Sequence, residues 1–228
     1  MAFIDEYLVN DWYGEANRLA SVAITVPDNL GPTMLLALAT GRSTSTNPCG
    51  INSFTWEGDT FSAIGGHDSY DLNGEGEVYS YYLLNPSIAT GDVTIGYDHI
   101  SRNHSSLVSI VLLKKVALVA PVGEKFATGS GTSHATADIT TKLNNLMFHH
   151  GGLYSTIGTA VPGSGQTLGL QEYSAEDPQP SSLVWSTKQA GSALESMSTA
   201  WDTSRDNGFI AFSVEVLLAN QTQVITAL

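Results

Sequence analysis

The sequence predicts an all-β protein, an antiparallel two-sheet β-sandwich of jelly-roll-like character, and three observations carry that prediction. Strand-like segments recur about every dozen residues with Gly, Pro, Asn and Asp between them. Residues 77–113 hold three such segments in quick succession, joined by short connections containing Pro, Gly and Asn. Charged residues make up only 14% of the 228 positions, below the roughly 25% of ordinary globular chains. Ser, Thr, Gly and Asn fill the gap, which suits an extended β surface whose polar face is hydroxyl and amide. No amphipathic pattern of helical length competes, apart from a short turn near residues 138–144.

Residues 1–17 stand apart as an N-terminal arm, with Phe3, Ile4, Tyr7, Leu8, Trp12 and Tyr13 set among Asp5, Glu6, Asp11 and Glu15. Aromatic residues are enriched at interface cores, so one reading lays this arm on a neighbouring subunit. The other packs it on its own domain as an extra strand or short helix.

A β-sandwich domain is expected over residues 18–219. Leu19, Val22, Ile24 and Val26 lead to the turn Pro27-Asp28-Asn29, and an apolar run over 33–39 follows Gly31-Pro32. Residues 41–50 form a polar loop. Segments 51–56 and 60–64 flank Glu57-Gly58-Asp59 as a tight hairpin. After a loop over 65–76, the aromatic segment 77–84 ends at Asn85-Pro86, where proline removes a ladder donor. Segment 92–97 puts Val93, Ile95 and Tyr97 on one face. Segment 106–113 is nearly continuously apolar, as a strand covered on both sides should be. The short connections predict that these three lie side by side as antiparallel neighbours.

Residues 114–122 read as an apolar crossing into a second half, with strands expected at 132–140, 145–153, 166–173, 182–190, 195–202 and 209–219. Gly151-Gly152, Pro162-Gly163-Ser164-Gly165, Asp177-Pro178-Gln179-Pro180, Gly191-Ser192 and Asp206-Asn207-Gly208 supply the turns. No linker is long enough to separate two domains. The tail, 220–228, alternates at Val224, Thr226 and Leu228, as a strand added to a partner's sheet edge or as a frayed end.

Nine Lys and Arg against twenty-two Asp and Glu give a formal charge of −13. That surface repels phosphate backbones and anionic lipid, so neither nucleic acid nor a membrane is an expected partner. A basic protein surface is compatible. Cys49 is the single cysteine, so no internal disulfide is possible. Acids follow Met1 where a signal peptide would carry lysines, and no apolar run approaches a membrane span. Synthesis in a cytoplasm without a secretion address is the expectation.

The residues of types that carry chemistry form no recognisable site. Of six histidines, His99 and His104 flank a loop, His149 and His150 are adjacent, and His67 and His134 are isolated. None has the spacing that places two imidazoles on one metal. Adjacent strand residues point to opposite faces, so His149 and His150 cannot share a ligand. Gly129-Ser130-Gly131, Gly163-Ser164-Gly165 and His149-His150-Gly151-Gly152 lack the GxSxG spacing and the helices of a serine hydrolase. Asp71-Asn73-Gly74 begins like a calcium loop, but Ser69 and Ser80 occupy its first and closing ligand positions, so a solvated acidic turn is expected. Trp12, Trp56, Trp185 and Trp201 are residues that can stack on sugars. Trp56, at a hairpin tip, and Tyr70 are the candidates for exposed contact. No catalytic residue, metal or cofactor is expected.

One family resembles this chain. The run 35–39, the hairpin Ile51-Asn52-Ser53-Phe54-Thr55-Trp56-Glu57-Gly58-Asp59-Thr60-Phe61, the strand Val78-Tyr79-Ser80-Tyr81-Tyr82-Leu83-Leu84-Asn85-Pro86 and the segment Thr90-Gly91-Asp92-Val93-Thr94-Ile95 are together similar to a β-sandwich domain of tailed-bacteriophage virion proteins and bacterial surface proteins. The likeness spans about residues 18–219 and is strongest at 82–86. Glu57-Gly58-Asp59 stands where that family has two glycines. The resemblance implies a non-enzymatic structural protein of the virion that decorates or cements the capsid, of cement or head-fibre type. Its partners would be the major capsid protein and copies of itself, as a homotrimer on the capsid surface, after synthesis in the host cytoplasm. A tail-fibre or surface adhesin module that binds host glycans is the alternative.

Overall fold

The computed structural model describes residues 8–16, 21–28, 30–43, 50–68, 76–97, 104–153, 158–174 and 181–217, and among these every regular element is a β-strand. With strands numbered in chain order, a central sheet runs β1 (Leu8–Ala16), β9 (His104–Lys114), β3 (Thr33–Ser43), β7 (Gly76–Leu84), β6 (Ser62–Asp68). A second sheet runs β2 (Ser21–Val26), β8 (Ala89–Tyr97), β4 (Ile51–Trp56), β5 (Asp59–Thr60). A third, from the C-terminal half, runs β10 (Val122–Ala135), β17 (Ser198–Val214), β12 (Leu146–Leu153), β15 (Ser181–Gln189), β14 (Thr167–Ser174), with β13 (Val161–Pro162) beside β17. β11 (Ile139–Thr140) and β16 (Leu194–Glu195) form a small pair of their own. All pairings are antiparallel.

The antiparallel β-sandwich expected from the sequence is present, with one layer more than the two expected. The period of two along β3 divides its side chains between two cores. Leu35, Ala37 and Ala39 join Tyr79, Tyr81, Val108, Ile110 and Leu112 against Val22, Ile24, Phe54, Trp56, Val93 and Ile95 of the second sheet. Met34, Leu36 and Leu38 join Val78, Val111 and Leu113 against Leu146, Phe148, Trp185, Ile210, Phe212 and Val214 of the third. The central sheet is thus covered on both faces, which is why β3 and β9 read as continuous apolar runs instead of alternating. Each large apolar side chain so buried contributes about 1.5–3 kcal/mol.

The three segments of 77–113 are not neighbours. β7 and β9 both pair with β3, whereas β8 crosses to the second sheet between β2 and β4. Asn85 redirects the chain after β7: it takes a left-handed φ of 49° and its N–H donates to the Thr33 carbonyl at 2.8 Å. Asparagine tolerates that region better than most residues. The hairpin tip follows its signal, with Glu57 at φ 50° and Gly58 at φ 90°, the two left-handed residues that a two-residue β-hairpin favours.

The C-terminal sheet departs from expectation at β10 and β17. β10 starts at Val122, well before the expected residue 132, and β17 is one bent strand of 17 residues instead of two. Asp206-Asn207-Gly208, a turn signal in sequence, lies inside it, in register with Ser130, Gly129 and Thr128 of β10. The bend falls at 201–204, where the register with β10 jumps from Ala200 to Arg205. The early part of β17 thereby pairs with β10 and β13, and the later part lies between β10 and β12.

Candidate functional site

The densest set of chemically capable side chains among the described residues lies on and around β12. His149 and His150 are both fully buried and, as neighbours on a strand, point to opposite faces. His150 faces the central sheet, where its Nε2 meets Ser80 Oγ of β7 at 2.5 Å. His149 faces outward, and its Nδ1 meets Thr199 Oγ1 at 3.0 Å. There it stacks on Phe209 with centroids 4.6 Å apart and on His134 at 5.6 Å, while Trp201 stacks on Phe209 at 5.9 Å. His134 donates from Nε2 to the Ala127 carbonyl at 3.1 Å.

Burial dominates the protonation of all three. The His149 imidazole is held well below its ordinary range by desolvation, reinforced by His134 and His150. Desolvation pushes His150 down to about 3. His134 is lowered by burial and partly restored by the Ala127 carbonyl. His134 Nδ1, His149 Nε2 and His150 Nδ1 are buried with no hydrogen-bond partner among the described residues. Each imidazole is therefore neutral at pH 7 and makes one of its two possible bonds.

Ser80 and His150 have the contact that a nucleophile and its base require. Both are completely buried between two sheets, so no substrate reaches them. The pair is a stitch between layers, one of several at the same end of the interface. Thr40 Oγ1 donates to the Ser182 carbonyl at 2.9 Å, Ser105 Oγ to Ser181 Oγ at 2.8 Å, and Trp185 Nε1 to Ser109 Oγ at 3.1 Å. The boundary between the central and C-terminal sheets is thus polar toward Thr40 and Ser105 and apolar toward Met34 and Leu113.

An open cleft of about 480 Å3 lies where the loop after β2 meets the loop after β7, lined among others by Pro27, Asp28, Leu30, Asn85, Ser87 and Ile88. Among the described residues Asp28 is the only titratable one in that lining, so they do not offer there the carboxylate pair of a glycoside hydrolase. Among the described residues no group of three His, Cys, Asp or Glu converges as metal ligands would.

No family model, curated protein or solved structure matches this chain.

The residues singled out in sequence fare unequally. Trp56 is fully buried, not exposed: Phe54 and Trp56 share the inward face of β4, and the indole N–H donates to the Ser87 carbonyl at 3.0 Å. Trp185 and Trp201 are buried too, so none of these three presents a face to a sugar. Tyr70 lies outside the described residues, as do Phe3, Ile4, Tyr7, the tail 220–228 and most of the acidic loop. Leu8, Trp12 and Tyr13 fall on β1, whose backbone pairs with the chain's own β9, opposite Leu113, Ile110 and Ser109. At the backbone level this segment is the extra strand on its own domain, at the edge of the central sheet. Sequence reasoning missed Ser80, Ser109 and Thr199 as partners of His and Trp. For Ser80 the available signal was a lone serine at an inward position of an otherwise apolar and aromatic strand.

Proposed function

We propose that this chain is a non-enzymatic structural protein of a tailed-phage virion that decorates or cements the capsid, as a homotrimer, through contacts with the major capsid protein and with its own copies. The observation that carries the reading is the disposition of ionisable groups. Among the described residues, the imidazoles of His134, His149 and His150 are buried and held neutral, while the open cleft has one carboxylate. A slab whose central sheet is covered on both faces by the chain itself meets other proteins through strand edges and loops, of which β1, β6 and β14 are examples. The acidic charge favours a basic docking surface, and the likeness of about residues 18–219, strongest at 82–86, to phage virion domains supports the same assignment. An adhesin loses Trp56 as a contact and keeps only Tyr70 of the two residues suggested for it.

Three measurements test the proposal. Mass spectrometry of purified particles should find the chain in fixed ratio to the capsid protein, and the purified chain should co-sediment with capsids lacking it. Light scattering of the isolated protein should give the mass of three chains. Particles without the chain would end the proposal.

A further inference from the structure

We infer that the C-terminal sheet is an acid-releasable layer, in which protonation of His149 and His150 opens its polar seam with the central sheet and the cap over its outer face while the other two sheets stay paired. The two imidazoles sit back to back on β12, the middle strand of that sheet, which pairs with β15 and β17. His150 is fastened to the central sheet through Ser80, and His149 to the early part of β17 through Thr199. One strand therefore carries a titratable fastener on each face.

The surroundings leave no place for the added charge. His149 is flanked by His134 of β10, by Thr199, Phe209 and Ala211 of β17, and by Ser186 of β15. His150 is flanked by Ser80 of β7, Trp185 of β15 and Ile210 of β17. Among the described residues, the titratable groups acting on His149 are two other histidines, and burial alone acts on His150. No carboxylate is among them. Each ring already has a buried nitrogen without a partner among the described residues, so a second N–H would be a buried, unpaired donor on a buried cation. The seam itself decides what opens first. Its polar end depends on hydroxyl contacts such as Thr40 to Ser182 and Ser105 to Ser181, whereas its apolar end keeps Phe148, Phe212 and Val214 against Met34 and Leu36.

The sign follows from linkage. Both imidazoles are neutral in the folded chain and take up a proton near pH 6.5 when released, so the released form binds more protons below that value and the sheet weakens as pH falls. Each histidine weakens the closed form by about tenfold per pH unit below about 6.5, and the pair by about a hundredfold.

The test is hydrogen exchange on the full chain, with exchange rates corrected for pH, between about pH 7.5 and about pH 4.5. Amides of β12, β14 and β15 should lose protection first while β3, β4 and β8 keep theirs. The variant carrying both His149→Gln and His150→Gln retains an amide able to meet Thr199 and Ser80 but takes no proton. It should lose most of the acid-dependent opening. If it does not fold at neutral pH, ring-proton NMR of the wild type decides in its place. Both histidines must stay neutral in the closed protein well below pH 6.5. Loss of protection in all three sheets together, an unchanged pH dependence in the variant, or a ring titrating near pH 6.5 with the sheet still protected would each overturn the inference.

Discussion

The indole N–H of Trp185, in the C-terminal sheet, donates to Ser109 Oγ of the central sheet at 3.1 Å, and both residues are buried. This bond crosses from one layer to the next at a point where water cannot replace it. Ser109→Ala should leave the indole donor unsatisfied and cost about 1–3 kcal/mol. Urea unfolding followed by tryptophan fluorescence measures the loss. A change within error would mean that the two layers do not meet there.

Trp56 separates a core role from a contact role. It is fully buried in the layer between the second and central sheets, so Trp56→Ala should cost about 3–5 kcal/mol and lower Tm. Trp56→Phe should cost less, losing chiefly the bond to the Ser87 carbonyl. If Trp56→Ala folded with unchanged Tm, the tryptophan would have to lie at the surface.

Two glycines are required by close packing and not by turn conformation. A Cβ on Gly151 of β12 would lie 2.1 Å from the Gly208 carbonyl oxygen, and one on Gly169 of β14 would lie 1.7 Å from the Trp185 ring. Gly151→Ala and Gly169→Ala should each cost at least about 1–3 kcal/mol, because the obstacle is backbone in one case and a packed indole in the other. Gly191→Ala meets only the end of the Glu195 side chain at 3.3 Å. It should stay within about 0.5 kcal/mol of the parent. Chemical denaturation of the three variants in parallel checks the ranking.

Lys188 and Glu195 tie β15 to the small β11–β16 pair, with Nζ and Oε2 2.5 Å apart. The hydrogen bond from Lys188 holds the Glu195 carboxyl below its ordinary value of 4.5, helped by the Gly191 N–H and Ser192 and opposed by burial. A depressed carboxylate stabilises the fold above its unfolded value, and that contribution is lost as pH falls through the folded one. Lys188→Met should move the Glu195 titration upward, as carboxyl NMR would record. The Glu195 window opens only below 4.5, whereas that of the histidines begins near pH 6.5, so the range between the two reports the histidines alone.

How much of this was legible depends on what each pattern encodes. Continuous apolar runs at β3 and β9 announce a sheet covered on both faces, and the hairpin tip at Glu57-Gly58 announces its turn. The alternation of Phe54 and Trp56 also held the answer for Trp56, because a period of two puts both on the inward face. What covers each face was not legible: alternation reports that a face is buried, not against which sheet. Nor was the assignment of short connections, since a loop such as 85–88 serves a hairpin or a crossing between facing sheets equally well. Asp206-Asn207-Gly208 misled because turn residues are tolerated in a strand where close packing calls for them, as at Gly208 beside Gly151. The histidine fasteners were hidden because Ser80, Thr199 and His134 are distant in sequence from β12 and meet it only in the folded chain.

Electron microscopy of purified phage particles, with the three-layer slab fitted to the density, tests the structural role most directly. The proposed role predicts three copies of the slab around symmetry positions of the outer capsid surface, with strand edges and loops against the capsid protein. Particles whose capsid lattice is fully accounted for without this chain, or density that places it at the tail tip against host glycan, would contradict it.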